Sequence, residues 1–423
     1  MGAPAPAEGE GPAVAKASRP VLAPVAGAAS PEVLGIYVDD LFFVSEVEGE
    51  ELISTDCAFF LFASEVGRRF AGTVVFARAR ADGTGEHALP QGARLVGLPY
   101  YRDLRRLREV RRAFVGTLRA FWHGLEGVDI IWVFGPNPFS IVFVALALIR
   151  RRRVVLGIRQ DSFEYFRARV GRRRAHPLLA VAWTLDRLWR VLARRLDATV
   201  VGAQLARAYG PRALDITVSL ISKDEIARAL PNRDWSGEIT LLTVGRIDVE
   251  KDPFLTVEVV ARLQAAQPDR FRLVWLGRGP LEELVRARIA ELGLAGCVDL
   301  RGYIAFGPKL LALYRSAHAL VHVSLTEGVP QTIVEALACG TPVVASSVGG
   351  IPDILDHGAA GLLVAPRRAD ALAEAVLRVS EDEALRRRLV ERGLVLARAR
   401  TLEDESERIA RFLSRPHRVD RRE

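Results

Sequence analysis

Four side chains in the C-terminal half of this chain have the types and spacing to grip a charged, hydroxyl-rich ligand. Glu327 and Glu335 stand eight residues apart in AHALVHVSLTEGVPQTIVEALACGTPVVASSVGGIPD, residues 317–353. A carboxylate cannot neutralise a phosphate, but it accepts hydrogen bonds from sugar hydroxyls. Arg246 and Lys251 stand five residues apart in LLTVGRIDVEKDP. Arginine presents a planar fork to phosphate oxygens and lysine a compact charge, so the two could converge on one diphosphate. On spacing alone, a solvated surface charge is an equal reading of either cation. A solvated helix carboxylate is likewise an alternative for Glu335.

The elements that would position these groups can be read from the pattern around them. Ala319–Val323 reads as a buried strand, Ser324–Gly328 as a polar turn, and Pro330 as the first helical position. Ile333, Val334, Leu337 and Ala338 recur at helical spacing, Gly340 stops the helix, and Thr341–Ala345 is the next strand. This places a helix N-terminus at the mouth of a parallel sheet, where the free N–H groups of Val329, Gln331 and Thr332 would serve a phosphate oxygen. Gly245 opens the turn after the strand Ile239–Val244, and Leu276-Gly277-Arg278-Gly279-Pro280 is a second glycine turn at a strand end. Gly302-Tyr303 follows a third strand; Tyr303 reads equally as a packing aromatic or a ligand contact.

The run E-G-V-P-Q-T-I-V-E-A-L-A-C-G-T-P-V-V-A resembles the EX7E motif of GT-B glycosyltransferases, in particular the retaining family 4. G-R-x(4)-K is similar to that family's diphosphate-binding pair, and Gly277–Pro280 to its G-x-G-P segment. The resemblance covers residues 215–400 well and the earlier part in architecture. It implies that Arg246 and Lys251 stabilise the leaving diphosphate and that Glu327 holds the donor sugar hydroxyls. Glu335 would hold the ribose, and Tyr303 would lie beside the base. Gly245, Arg278, Gly279, Gly328, Val329, Pro330, Gln331 and Thr332 complete the implied donor site. It further implies hexosyl transfer with retention, by front-face attack, from a nucleoside-diphosphate sugar to a glycan or lipid-linked acceptor. Cell-envelope polysaccharide or glycolipid assembly is the implied setting. No Asp-x-Asp occurs in a suitable turn, so no metal and no cofactor is expected; Asp39-Asp40 reads as a capping pair ending the first strand. The alternatives are a sugar-nucleotide 2-epimerase of the same fold and a non-catalytic subunit that only binds the donor.

Length and composition agree with two full cores: 423 residues, half of them hydrophobic. Strands alternate with helices in two series, which predicts an α/β chain of two Rossmann-like, doubly wound parallel-sheet domains facing a central cleft. Residues 1–31, rich in Ala, Pro and Gly, read as a disordered tail without the basic start and apolar centre of a signal peptide. The expected acceptor-side domain is 32–221, the linker 222–237 and the nucleotide-sugar domain 238–399. Residues 400–423 form a helix and tail that can cross back to the first domain. In the first series Val33–Val38 is expected as a strand, Glu51–Arg69 as a helix and Ile216–Leu220 as the last strand.

Cys57, Cys297 and Cys339 show no disulfide or metal spacing, which suits a reducing, cytoplasmic compartment. The net charge is +8 and almost all of the cations are arginine. No nucleic-acid-binding motif accompanies them, so nucleic acid is not an expected partner. Phe139–Ile149, the longest apolar run, has about half of the ~20 residues a spanning helix needs. In 101–122, Leu104, Leu107, Val110, Phe114, Leu118 and Phe121 form one stripe among Arg105, Arg106, Arg108, Arg111 and Arg112. Residues 171–195 repeat the theme with Trp183 and Trp189. Such segments either pack on the sheet or rest peripherally on the anionic inner face of a membrane.

The first domain departs from the family. Many members have a Gly-Gly turn after the first strand, where this chain reads YVDDLFFVSEV. Many have a histidine at the end of the strand matching Val154–Ile158, where this chain has Arg159-Gln160-Asp161. These three are the acceptor-side candidates; Gln160 or Asp161 either replaces the histidine's contact or caps the helix starting at Ser162. His318 and His322 are four apart on a strand and do not form a helical metal-ligand pair.

Overall fold

Runs of β-branched and aromatic residues, each followed by a helical segment, build the first domain around a long opening strand. The computed structural model describes residues 30–47, 50–81, 83–90, 92–102, 106–170 and 177–415. All but the last two residues of the expected N-terminal tail therefore lie outside the described residues. Strand β1 (Ser30–Val47) is followed by β2 (Glu50–Thr55), α1 (Phe59–Gly67), β3 (Phe70–Arg80), β4 (His87–Ala88) and β5 (Ala93–Leu98). Then come α2 (Leu107–Gly124), β6 (Ile130–Phe134), α3 (Pro138–Ile149), β7 (Arg153–Ile158), α4 (Ser162–Val170) and α5 (Pro177–Ala193). The series closes with β8 (Asp197–Val201), α6 (Ala203–Tyr209) and β9 (Ala213–Ile216). The core order is β5-β3-β1-β6-β7-β8-β9, all parallel, with helices on both faces.

The second series is β10 (Ile239–Val244), α7 (Pro253–Ala266), β11 (Phe271–Leu276), α8 (Glu282–Glu291), β12 (Val298–Gly302) and α9 (Pro308–Ser316). It continues through β13 (Ala319–His322), α10 (Gln331–Ala338), β14 (Val343–Ser346), α11 (Ile351–Ile354) and β15 (Leu362–Val364), then α12 (Ala369–Glu381) and α13 (Glu383–Arg398). Its parallel sheet runs β12-β11-β10-β13-β14-β15. The order reverses between β10 and β13, the switch point where a ligand finds a crevice at the strands' carboxyl ends. The last helix, α14 (Leu402–Leu413), returns to the first domain and packs on α1. Arg153 donates to the Phe412 carbonyl at 3.2 Å, and the Thr217 N–H donates to Glu405 at 3.1 Å.

Three expectations need correction. The stretch 51–69 is not one helix but β2 followed by α1, because β1 runs on past Val38 and pairs antiparallel with β2 from Phe42 to Val47. Asp39-Asp40 neither ends the strand nor caps a helix. Three residues of β1, 38–40, lie against a single residue of β3 between the pairs Tyr37–Phe76 and Leu41–Arg78, a bulge that re-aims both aspartates. The last strand of the series stops at Ile216, since Thr217–Ile221 leaves the sheet to bond with α14 and its approach: the Leu402 N–H donates to the Ile221 carbonyl at 2.7 Å.

Segment 222–237 is pinned to the second domain. Its Arg233 donates to the Gly340 carbonyl at 2.8 Å and to Thr341 Oγ1 at 3.1 Å, and burial pushes its guanidinium down to about 10. The basic stretch on α2 departs from a simple core-facing stripe. Phe121 is buried, but Leu107 is 74% exposed and Phe114 40% exposed. Of the two tryptophans on α5, Trp189 is core and Trp183 is exposed. Residues 103–105 and 171–176 of these two stretches lie outside the described residues.

The return of α14 makes its apolar face part of the first domain's core. Leu413→Ala removes a fully buried side chain and should cost about 2–5 kcal/mol, read as a lowered urea midpoint of the first domain's transition.

Candidate active site

The carboxyl ends of β10, β11 and β12 are stitched together by backbone. The Gly245 N–H donates to the Leu276 carbonyl at 2.9 Å, the Ile247 N–H to the Arg278 carbonyl at 3.1 Å, and the Gly277 N–H to the Gly302 carbonyl at 2.8 Å. A Cβ on Gly277, at φ +145°, would lie 2.0 Å from the Gly245 carbonyl oxygen, so only glycine permits this approach. The same lock joins the turns after β13 and β14, where a Cβ on Gly349 (φ +53°) would lie 1.9 Å from the Glu327 carbonyl oxygen. The turns carrying Arg246, Arg278 and Glu327 are therefore fixed on one sheet edge. Arg278 lies over Gly302, and Tyr303 sits beyond it, 42% exposed.

Lys251 crosses Gly245 with its aliphatic chain and donates through Nζ to Glu327 Oε1. His322 Nε2 lies 2.9 Å from the same oxygen. An ionised carboxylate only accepts, so Nε2 carries the proton and Nδ1 receives the Thr332 hydroxyl at 3.3 Å. Burial pushes Glu327 up, but the Lys251 ammonium and the His322 hydrogen bond outweigh it and hold the carboxyl well below its usual range. Burial lowers His322, against the pull of Glu327. Pro330 is the N-cap of α10, with ψ 124°, one position earlier than its expected place inside the helix. The first-turn N–H groups of Gln331 and Thr332 have no partner within the helix. Gln331 Nε2 is buried and unpaired among the described residues. Glu335 lies buried one turn further on, and Tyr314 donates its hydroxyl to Oε2 at 2.7 Å.

The first domain closes on this edge at several points. A Cβ on Gly328 would stand 2.5 Å from the Arg159 carbonyl oxygen, and one on Gly202 would stand 3.2 Å from Val329 Cγ2. The Tyr303 hydroxyl is 3.5 Å from Nε2 of His87 in β4. Arg159 Nη1 donates to Asp40 Oδ2 at 3.0 Å, and the Cys57 thiol, pushed up to about 12 chiefly by burial, is 3.1 Å from the same oxygen. Of the acceptor-side trio, Asp161 caps α4 by accepting the Glu164 N–H at 3.0 Å, and Gln160 stands exposed.

The structure thus gathers Gly245, Arg246, Lys251, Glu327, Gly328–Thr332 and Glu335 at one crevice, with Arg278, Gly279 and Tyr303 along the same edge. Arg246 and Lys251 do not pair with a common group: Arg246 rests on Glu250 while Lys251 rests on Glu327. Sequence reasoning gave no site role to His322, Tyr314, Asp40, His87, Asp248, Glu250 and Arg169. Tyr314, Asp40, His87, Asp248 and Arg169 meet partners brought near only by folding, whereas Glu250 and His322 lie four and five residues from Arg246 and Glu327, a spacing that could have flagged them. Among the described residues no group of three or more His, Cys, Asp or Glu side chains could hold a metal ion.

Residues 228–394 match the family of glycosyl transferases group 1. A D-inositol 3-phosphate glycosyltransferase from Actinosynnema mirum is 37% identical over 158 residues, which is 36% of this chain and 38% of the relative. A 2-deoxystreptamine glucosyltransferase from Streptomyces kanamyceticus is 32% identical over 222 residues, 49% of this chain and 56% of the relative. The chain thus spans about half the length, or less, of the curated relatives it matches. In fold it is similar to the sucrose-phosphate synthase of Thermosynechococcus elongatus, with a TM-score of 0.69 and 19% identity over 90% of this chain and 98% of the other. The lipopolysaccharide-biosynthesis glycosyltransferase WaaG gives 0.67 and 16% over 90% and 100%. The Anabaena protein HepE, solved with UDP and glucose, gives 0.63 and 18% over 90% and 99%. Two parallel-sheet domains around a cleft form the GT-B architecture that these structures share.

Burial pushes Glu335 from 4.5 up to about 7, with the Tyr314 hydroxyl pulling the other way. The folded chain therefore binds this proton more tightly than the unfolded chain, and the stabilisation is lost as pH rises from 4.5 to about 7. Glu335→Gln should flatten that part of the stability–pH curve, as measured by thermal unfolding across the window.

Proposed function

We propose, from the membership of residues 228–394 in the glycosyl transferases group 1 family, that the chain moves a sugar from a nucleoside-diphosphate sugar to a hydroxyl of a glycan or lipid-linked acceptor. The observation that carries this is the Lys251–Glu327–His322 cluster beside the α10 N-terminus. One edge of the crevice thus offers a cation and free N–H groups, and a carboxylate stands next to them.

Sugar transfer breaks the bond from C1 to the diphosphate oxygen and forms one from C1 to the acceptor oxygen. Negative charge grows on the leaving diphosphate as the first bond stretches. Lys251 has ammonium protons beyond the one given to Glu327, Arg246 is 61% exposed, and the α10 N–H groups face the same crevice. Charge held in place before the reaction stabilises such a transition state without reorganisation. Glu327 Oε1 is occupied by Lys251 and His322, and Oε2 is the oxygen left to accept donor-sugar hydroxyls. Glu335, ionised to accept the ribose hydroxyls, would favour donor binding as pH rises through about 7. With retention, the acceptor proton passes to the leaving phosphate oxygen on the same face.

A lipid-linked acceptor is supported by the outer face of the first domain. Leu107, Val115, Ile149 and Trp183 stand exposed on α2, α3 and α5. Arg106, Arg108, Arg111, Arg112 and Arg187 stand exposed among them. Apolar wedges among arginines suit peripheral contact with an anionic leaflet, each basic residue contributing about 1 kcal/mol near the surface. Among the described residues no helix is long and apolar enough to cross a membrane.

Titration of UDP, GDP, ADP and their sugars should find one nucleotide that binds, and Arg246→Ala or Lys251→Ala should slow transfer from it by about 10²-fold or more. Normal turnover in Arg246→Ala would remove that residue from the site, and release of an epimerised sugar nucleotide would mark an isomerase instead. The chain should co-sediment with anionic vesicles at low salt. Replacing Arg108, Arg111 and Arg112 by Glu should abolish that binding and leave transfer to a soluble acceptor intact.

A further inference from the structure

The cleft is bridged beside the donor turn by an arginine that none of the sequence motifs contains. Arg169 lies in the last turn of α4, in the first domain, and reaches two carboxylates of the second. Its Nη2 donates to Asp248 Oδ2 at 2.8 Å, and its Nη1 lies 3.4 Å from Glu250 Oε2. Arg246 holds the other oxygen of the same Glu250. The side chains of Asp248 and Glu250 are only 5% and 3% exposed. Carboxylates that deep either have positive charge beside them or take up protons. Among the described residues, Arg169 is the cation paired with Asp248, and it shares Glu250 with Arg246.

We propose that Arg169 is a positioning residue for the donor: by neutralising Asp248 and Glu250 from across the cleft, it leaves the Arg246 guanidinium turned outward for the diphosphate. The proposal rests on the donor reading of the crevice given above. With Arg169 in place, Arg246 spends one N–H group on Glu250 and keeps a side chain that is 61% exposed. Without it, Arg246 is the remaining counter-ion for two buried carboxylates and is drawn toward both. Arg169 reaches them only when α4 stands against the 245–252 turn, so closing the domains and presenting Arg246 are one event. By linkage, a bound diphosphate must favour the closed cleft by the same factor that closure favours the diphosphate.

The test is a titration of UDP, GDP and ADP into the natural chain and into Arg169→Ala, Arg169→Lys, Arg246→Ala and the Arg169→Ala/Arg246→Ala double variant. It is paired with amide hydrogen exchange over residues 245–252 of each unliganded chain. Arg169→Ala should weaken the diphosphate that binds by about tenfold, with Arg169→Lys recovering part of the loss. The double variant should bind no more weakly than Arg246→Ala, because the two residues act on one contact. Natural affinity in Arg169→Ala, or losses that multiply in the double variant, would overturn the proposal. If the natural chain binds none of the three nucleotides, the donor reading falls. Exchange then decides the contact by itself: faster exchange of 245–252 in Arg169→Ala upholds the hold on the turn, and unchanged rates refute it.

Discussion

The cleft is organised by the need to keep a carboxylate charged where water is scarce. Glu327 is 11% exposed at the mouth of the second sheet. Leaving it unpaired there would cost several kcal/mol or force it to take a proton. Its two partners come from different strands, Lys251 from the turn after β10 and His322 from the end of β13. Satisfying one oxygen therefore clamps the two strands on either side of the switch point. Thr332 on His322 extends the chain of contacts to the first turn of α10, so the helix end, the cation and the carboxylate are joined in one hydrogen-bonded network.

Backbone packing supplies the rigidity on which those charges depend. The turns after β10, β11 and β12 approach so closely that a methyl group on Gly277 would collide with the neighbouring carbonyl. The turns after β13 and β14 meet in the same way at Gly349. Side chains that start from such locked turns have little freedom in where they begin, and their charges arrive preorganised. Glu335 answers to a different constraint. Among the described residues its carboxyl has the Tyr314 hydroxyl as partner and no cation, so burial dominates and pushes it up to about 7, whereas Glu327 is held low.

The first domain contributes by contact rather than by motif. A bulge in β1 turns Asp39 toward Arg78 and Tyr101 and Asp40 toward Arg159. The bulge stands in the YVDDLFFVSEV stretch, where many family 4 members have a Gly-Gly turn. The Arg159 carbonyl borders the Glu327 turn at Gly328 while its guanidinium pairs with Asp40, Gln160 stands exposed, and Asp161 is engaged in capping α4 and faces Arg190. The two domains also share a core, since α14 crosses back and buries Ile409, Phe412 and Leu413 against the first domain.

By itself the sequence determined the alternation of strands and helices and the bounds of β10. These are legible because apolar runs, glycine turns and helix starts are local effects, decided by residues a few positions apart. The grouping of Gly245, Arg246, Lys251, Glu327 and Glu335 in one site was instead implied by the resemblance of their runs to family 4. Tertiary structure decided what each charge rests on. It made residues 50–55 a strand because β1 ran on and needed an edge partner. It left Leu107 in solvent while burying Phe121 on the same helix. It also set Arg169, His322 and Tyr314 against Glu250, Glu327 and Glu335. A carboxylate's ionisation follows from the charges and water within a few ångströms of it, and folding alone brings those neighbours together.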